Sequence, residues 1–188
     1  MAEGMRCSNL LHKQGNTLVS DIVETYCESF GKTAEFSIWS HAGRDGPVGT
    51  KRTSNKALDE KQMTLDGWNA IDFNWAPGAN ANFYGCKTGV GDKDKPSFST
   101  RISSLNNYLN VNVHGQISSA YPSLYTNIRL NNIEMIRGVF SCPTYMVGGE
   151  PLGIKGLLFP TRTKANPMRT SRNGIEIDNN YFQPGRKN

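Results

Sequence analysis

Two short stretches, Phe36-Ser-Ile-Trp-Ser-His41-Ala-Gly43 and Asn82-Phe-Tyr-Gly-Cys86-Lys-Thr-Gly89, run apolar for a few residues and then stop on a reactive side chain with glycine close behind. Short apolar runs rich in aromatic and β-branched residues, closed by glycine, are strand signals. The spacing predicts strands over Ala34–Ser40 and Asn80–Gly85, and the clean alternation of Leu109, Val111 and Val113 with Asn110, Asn112 and His114 predicts a half-exposed third. Helical stripes lie on either side. Leu18, Ile22, Tyr26 and Phe30 recur every four residues, with Gly31 as a stop; Phe98, Ile102 and Leu105 mark a second helix over roughly Pro96–Asn107, with Pro96 in its first turn. Helix, strand, loop, strand, helix, strand is an α/β order, which favours a largely parallel sheet with helices on its faces.

That order also fixes where chemistry can sit. Ligands bind beyond the carboxyl ends of parallel strands. A histidine and a cysteine delivered there by two adjacent strands form the pair that a thiolate–imidazole nucleophile needs. Cys86 is the expected nucleophile and His41 its partner. The oxyanion donors are expected from the N–H of Cys86, at the Gly85–Cys86 peptide, and from Ala42 or Gly43. Gly85 allows a tight exit from the strand, and Gly89 is expected to keep bulk away from an approaching substrate backbone. Asp45, in the Gly43-Arg-Asp-Gly46-Pro47 turn, is the nearest third member, or simply a turn former. His114 also ends a predicted strand before a glycine. It is a competing base, or lines the cleft beside Gln116. An inert core cysteine and a hydrogen-bonded rim histidine are the plainer alternatives for Cys86 and His41.

The His-then-Cys order over 45 residues, with each side chain ending an apolar strand, resembles the caspase-like cysteine peptidases: caspases, clostripain, gingipains, legumain and the self-processing domains of large bacterial toxins. Tyr-Gly-Cys86-Lys-Thr-Gly is similar to the Gly-Cys-Asn-Thr-Gly segment of bacterial caspase-like domains. The resemblance covers roughly residues 16–120. It implies a three-layer sandwich, a mostly parallel central sheet flanked by helices, and cysteine endopeptidase activity without metal or cofactor. The partners it implies are a protein or peptide substrate and, for a bacterial effector or toxin module, a cognate inhibitor or immunity protein. The family has Gly directly after the His, whereas this chain has Ala42 there and Gly43 next. That departure keeps a caspase-fold interaction module without turnover as an alternative. A toxin with another hydrolase activity, a nuclease or a cell-wall amidase, is a third reading.

Composition bounds the rest. A chain of 188 residues suits one domain, with residues 1–15 and 160–188 expected to be loosely ordered. No apolar stretch reaches the length of a membrane span, and the N-terminus shows no secretory signal. Cytoplasmic residence, export by a signal-independent machine and release from a longer polypeptide all stay open. Cys7, Cys27, Cys86 and Cys142 form no Cys-x-x-Cys and no Cys/His cluster with zinc spacing, so free thiols are expected. Six basic residues after Pro160 face only Glu176 and Asp178. Without interleaved aromatics this cluster makes no stacking platform, and nucleic acid is not an expected partner. Gly89-Val-Gly91-Asp-Lys-Asp94 departs from a dinucleotide fingerprint, because Asp94 would oppose a pyrophosphate. A P-loop, a Gly-x-Ser-x-Gly elbow and a zinc-deaminase pattern are all absent. After Tyr121, Ile136–Phe140, Thr144–Val147 and Ile154–Phe159 are candidate strands, and Ile175, Ile177, Tyr181 and Phe182 a candidate last one.

Overall fold

The computed structural model describes residues 31–47, 63–131, 145–150, 153–159 and 161–184. The predicted helix that ends at Phe30 and the candidate strand Ile136–Phe140 lie outside these residues. Among the described residues a five-stranded sheet dominates, in the order β1 (Thr33–Ile38), β4 (Trp75–Phe83), β5 (Asn112–Gln116), β10 (Met168–Arg172), β11 (Ile175–Tyr181). β1 pairs parallel with β4, and β4 parallel with β5. The three strands expected from the sequence are therefore parallel members of one sheet, with the first two adjacent. The sheet as a whole is mixed, because β10 runs antiparallel to both β5 and β11. A two-residue turn at Asn173–Gly174, both with positive φ, closes the β10–β11 hairpin.

Alternation along the strands sorts the two faces. Rows Phe36–Ala81–Val113 and Ile38–Phe83 point to one side, where Trp68, Ile71, Phe73, Phe98, Ile102 and Tyr108 cover them. The rings of Phe83 and Phe98 meet edge-on at 5.1 Å, and those of Phe83 and Trp68 at 5.5 Å, the geometry that ring quadrupoles favour. These rings ride on α1 (Leu65–Ala70), capped by the Thr64 hydroxyl, and α2 (Phe98–Ser103), capped by Ser97. Both helices pack on this one face. Among the described residues, α1 and α2 thus cover one face of the sheet, and the three-layer sandwich expected from the sequence is not established.

The differences from the sequence reading are local. β4 starts five residues before Asn80, because a bulge between the Thr33–Trp75 and Glu35–Asn80 pairs absorbs Pro77 and Gly78. α2 stops at Ser103, where the Ser103 and Ser104 hydroxyls bond the carbonyls of Thr100 and Arg101. Leu105 is extended, and a separate 3-10 turn follows at Asn106–Tyr108. Pro96 precedes the Ser97 cap instead of opening the helix. Asn110 has a φ of 65°, so the third strand begins only at Asn112, and Leu109 is half exposed. Ile154–Phe159, a candidate strand, falls instead on the helix α3 (Gly153–Leu158).

The loop expected after Ser40 contains a small hairpin, β2 (Ala42–Gly43) and β3 (Gly46–Pro47), with Arg44 and Asp45 as its turn. β6 (Ser119–Ser123) pairs with β8 (Tyr145–Gly149), which bears out a strand near Thr144–Val147. β7 (Ile128–Leu130) pairs with β9 (Arg162–Lys164). Residues 162–181, expected to be loosely ordered, instead give three strands, one of them interior to the main sheet. Val113 and His114 of β5 supply β10 with ladder partners that composition alone does not reveal.

Candidate active site

Parallel pairing brings the two reactive side chains to the same end of the sheet. Ile38 stands opposite Phe83, and the Tyr84 N–H still donates to the Ile38 carbonyl at 3.0 Å as both chains leave the sheet. His41 and Cys86 each follow their strand's last paired residue by three positions. Gly85 lies directly against the His41 segment. A Cβ there would come within 2.2 Å of the Ala42 Cβ and 3.0 Å of the Ser40 carbonyl. Only glycine fits this contact, so Gly85 serves close approach as well as a tight exit. His41 is exposed and Cys86 half-buried.

The turn carrying Cys86 is tied to the link between β5 and β6. Lys87, with φ of 57°, donates its N–H to Ser118 O at 2.9 Å, and Gly89 N–H donates to Gln116 O at 2.9 Å. The Ala120 N–H donates to the Cys86 Sγ at 3.3 Å, and the thiol in turn donates to the Ala120 carbonyl at 4.0 Å. Pro122 lacks an N–H, so the Pro122–Met146 pair of β6 and β8 cannot exchange both ladder bonds. Alternation then turns the polar groups of Ala120 away from β8, toward Cys86. Gly89 has a different reason from the one its sequence suggests. A Cβ there would come within 2.3 Å of the Gly115 carbonyl, so β5 excludes a side chain at this position.

In the β2–β3 hairpin, Pro47 stands opposite Ala42 and, lacking an N–H, gives the Ala42 carbonyl no ladder donor. Asp45 is engaged elsewhere than with His41. Its Oδ1 takes Lys95 Nζ at 2.6 Å and Arg101 at 3.2 Å. The Lys95 hydrogen bond, with the charges of Lys95 and Arg101, holds the carboxyl below its ordinary range against the opposing effect of burial. The carboxylate thus pins the hairpin to the loop before α2. Because the pair is half exposed, Asp45→Asn is expected to cost only about 0.5–1 kcal/mol, shrinking in 1 M salt; urea midpoints at low and high salt check this.

His114 is a buried sheet residue rather than a cleft residue. It lies mid-strand, opposite Asn82 and Thr170, on the face away from the aromatic core. Its Nδ1 meets Thr170 Oγ1 at 2.9 Å and its Nε2 meets Asn80 Oδ1 at 3.1 Å, while Tyr181 stacks on the ring at 3.5 Å. Burial pulls its pKa down to about 4, partly opposed by the Asp178 carboxylate. Gln116, on the same face, donates to Met146 O at 3.1 Å and is buried. The same face carries a network in which Asn82 Nδ2 donates to Glu35 and Ser37 at 3.1 and 3.0 Å.

Sequence reasoning missed Ala120, which no motif marks. It also passed over Thr88, although Thr88 lies inside the Cys-Lys-Thr-Gly stretch. Among the described residues no group of three or more His, Cys, Asp or Glu side chains is placed to hold a metal, and no helix is long and apolar enough to cross a membrane. Comparison with known proteins finds no matching family model, no matching curated protein and no matching solved structure.

Proposed function

We propose that the chain is a cysteine endopeptidase of the caspase-like type, with Cys86 as nucleophile and His41 as its acid–base partner. The observation that carries this reading is the contact of Gly85 with Ser40 and Ala42, which joins the Cys86 turn to the His41 segment at the carboxyl end of parallel strands. The nearer of the two Ala120 groups at Sγ is its N–H, at 3.3 Å against 4.0 Å for the carbonyl, and a donor there favours negative charge on the sulfur. His41, being exposed, can exchange protons with substrate and water. Ala42 does not weaken the reading, since a backbone donor needs no particular side chain.

In the reaction, the Cys86 sulfur attacks the peptide carbonyl carbon, and the oxyanion accepts hydrogen bonds from the N–H groups of Cys86 and Ala42. The C–N bond breaks as His41 gives a proton to the leaving amine, and a thioester remains on Cys86. Water, losing a proton to His41, then attacks the thioester; the acid leaves and the thiol is restored. The substrate is a polypeptide.

The test pairs a degenerate peptide library with thiol labelling. Wild type should cut a subset of peptides that Cys86→Ala leaves intact. Iodoacetamide at pH 6 should label Cys86 faster than Cys7, Cys27 or Cys142, because a paired thiolate reacts ahead of neutral thiols. Equal labelling of all four, with no peptide cut, would sink the proposal.

A further inference from the structure

Thr88 is fully buried two residues after Cys86, and its single hydroxyl is the hub of that turn. The Oγ1 lies 2.9 Å from Phe83 O and 3.1 Å from Gly85 O, so its one proton is shared between two carbonyls. A lone pair of the same oxygen accepts the Gln116 N–H at 3.0 Å. The hydroxyl therefore joins the end of β4, the peptide before Cys86 and the end of β5. Behind it, Ser99 N–H donates to Thr88 O at 3.0 Å, which anchors the residue to the start of α2.

One of these bonds reaches the chemistry directly. Gly85 C=O and Cys86 N–H belong to a single planar trans peptide, so they point in opposite directions and turn together. Whatever fixes the Gly85 carbonyl fixes the direction of the Cys86 N–H. We infer that Thr88 is the positioning residue that aims the Cys86 N–H at the oxyanion of the tetrahedral intermediate. The inference rests on the peptidase reading and adds to it a residue that touches neither substrate nor sulfur.

The chemistry separates this role from general support of the fold. Alkylation of Cys86 by iodoacetamide builds no oxyanion and needs only the sulfur and its base. Peptide turnover places an oxyanion, and capture of a peptide aldehyde as a hemithioacetal places the corresponding tetrahedral oxygen, facing the Cys86 N–H. Loss of a well-aimed oxyanion donor costs about 100- to 1000-fold in turnover, and a donor that remains but wanders should cost less.

The experiment compares wild type, Thr88→Val, Thr88→Ala and Thr88→Ser in three measurements. These are turnover of the library peptide that wild type cuts best, affinity for the aldehyde of that peptide, and the rate of Cys86 alkylation at pH 6. Thr88→Val should lower kcat by about 10- to 100-fold and weaken the aldehyde in parallel, with KM and alkylation within about twofold of wild type. Thr88→Ala leaves room for a water to meet the stranded carbonyls, so it serves if Thr88→Val does not fold, and it should show the same split. Thr88→Ser, which keeps the hydroxyl, should recover most of the loss. Unchanged kcat and aldehyde affinity in a folded hydroxyl-free variant would overturn the positioning role while leaving the peptidase reading intact. So would an equal fall in turnover and alkylation. A wild type that cuts no peptide and binds no aldehyde overturns the peptidase reading itself, and this inference with it.

Discussion

Replacing His41 by alanine should lower kcat/KM for peptide cleavage by about 10²- to 10⁴-fold, the range over which a positioned acid–base group contributes. Under the proposed pairing, the same change should slow Cys86 alkylation near pH 6, because the sulfur loses its base. Thermal stability should barely move, since His41 is exposed. His114→Gln is the informative contrast. His114 is enclosed by Asn80, Thr170 and Tyr181, with both ring nitrogens engaged. A variant there should keep its thiol reactivity at neutral pH, provided the measurement is made where it is folded. Steady-state kinetics and labelling rates on the two variants decide the matter. The opposite ranking, with His114→Gln silencing the thiol and His41→Ala sparing it, would reassign the base.

The second large effect is on stability against acid. His114 has a folded-state pKa lowered to about 4, first by burial, against an ordinary value of 6.5. Between these values the unfolded chain takes up a proton that the folded protein refuses. Stability is therefore fully present above about pH 6.5 and is lost as the pH falls toward 4. At 1.36 kcal/mol per unit, the loss attributable to this one side chain approaches about 3 kcal/mol. Urea unfolding at pH 7, 5.5 and 4.5 should show wild type losing stability more steeply than His114→Gln, with carboxylate contributions common to both. Parallel profiles would mean that the folded protein accommodates the imidazolium, for example by drawing on Asp178.

These two histidines show what a sequence can and cannot settle. Each stands at or near the end of an apolar run with a glycine close behind, and local pattern treats them alike. His41 emerges from β1 after the pairing has ended, so it reaches solvent. His114 lies within β5, because Asn110 takes a left-handed backbone and shifts the strand toward Gln116. A shift of this kind decides whether a side chain meets water or a sheet face, and no periodicity in residues 109–114 reports it. Asp45 gives the same lesson in charge. Its place in a turn was legible, but its partners, Lys95 and Arg101, are 50 and 56 residues away and meet it only through the packing of α2 beside the hairpin.

What the sequence by itself determined was local and strongly patterned: three parallel strands, the turn at Arg44–Asp45, and the delivery of His41 and Cys86 to one sheet end. Each follows from short-range chemistry, in apolar alternation, aromatic and β-branched bulk, and glycine where the chain must turn. Tertiary structure decided the rest. β10 and β11 form a local hairpin, and the sheet becomes mixed because β10 pairs antiparallel with β5, through hydrogen bonds between segments far apart in the chain. Ala120 faces the Cys86 sulfur because Pro122 and β8 set which way β6 turns its polar groups. Thr88 holds the Gly85 peptide because β4, the Cys86 turn and β5 converge on one buried hydroxyl. Such contacts depend on how elements meet, and a linear pattern carries no record of that meeting.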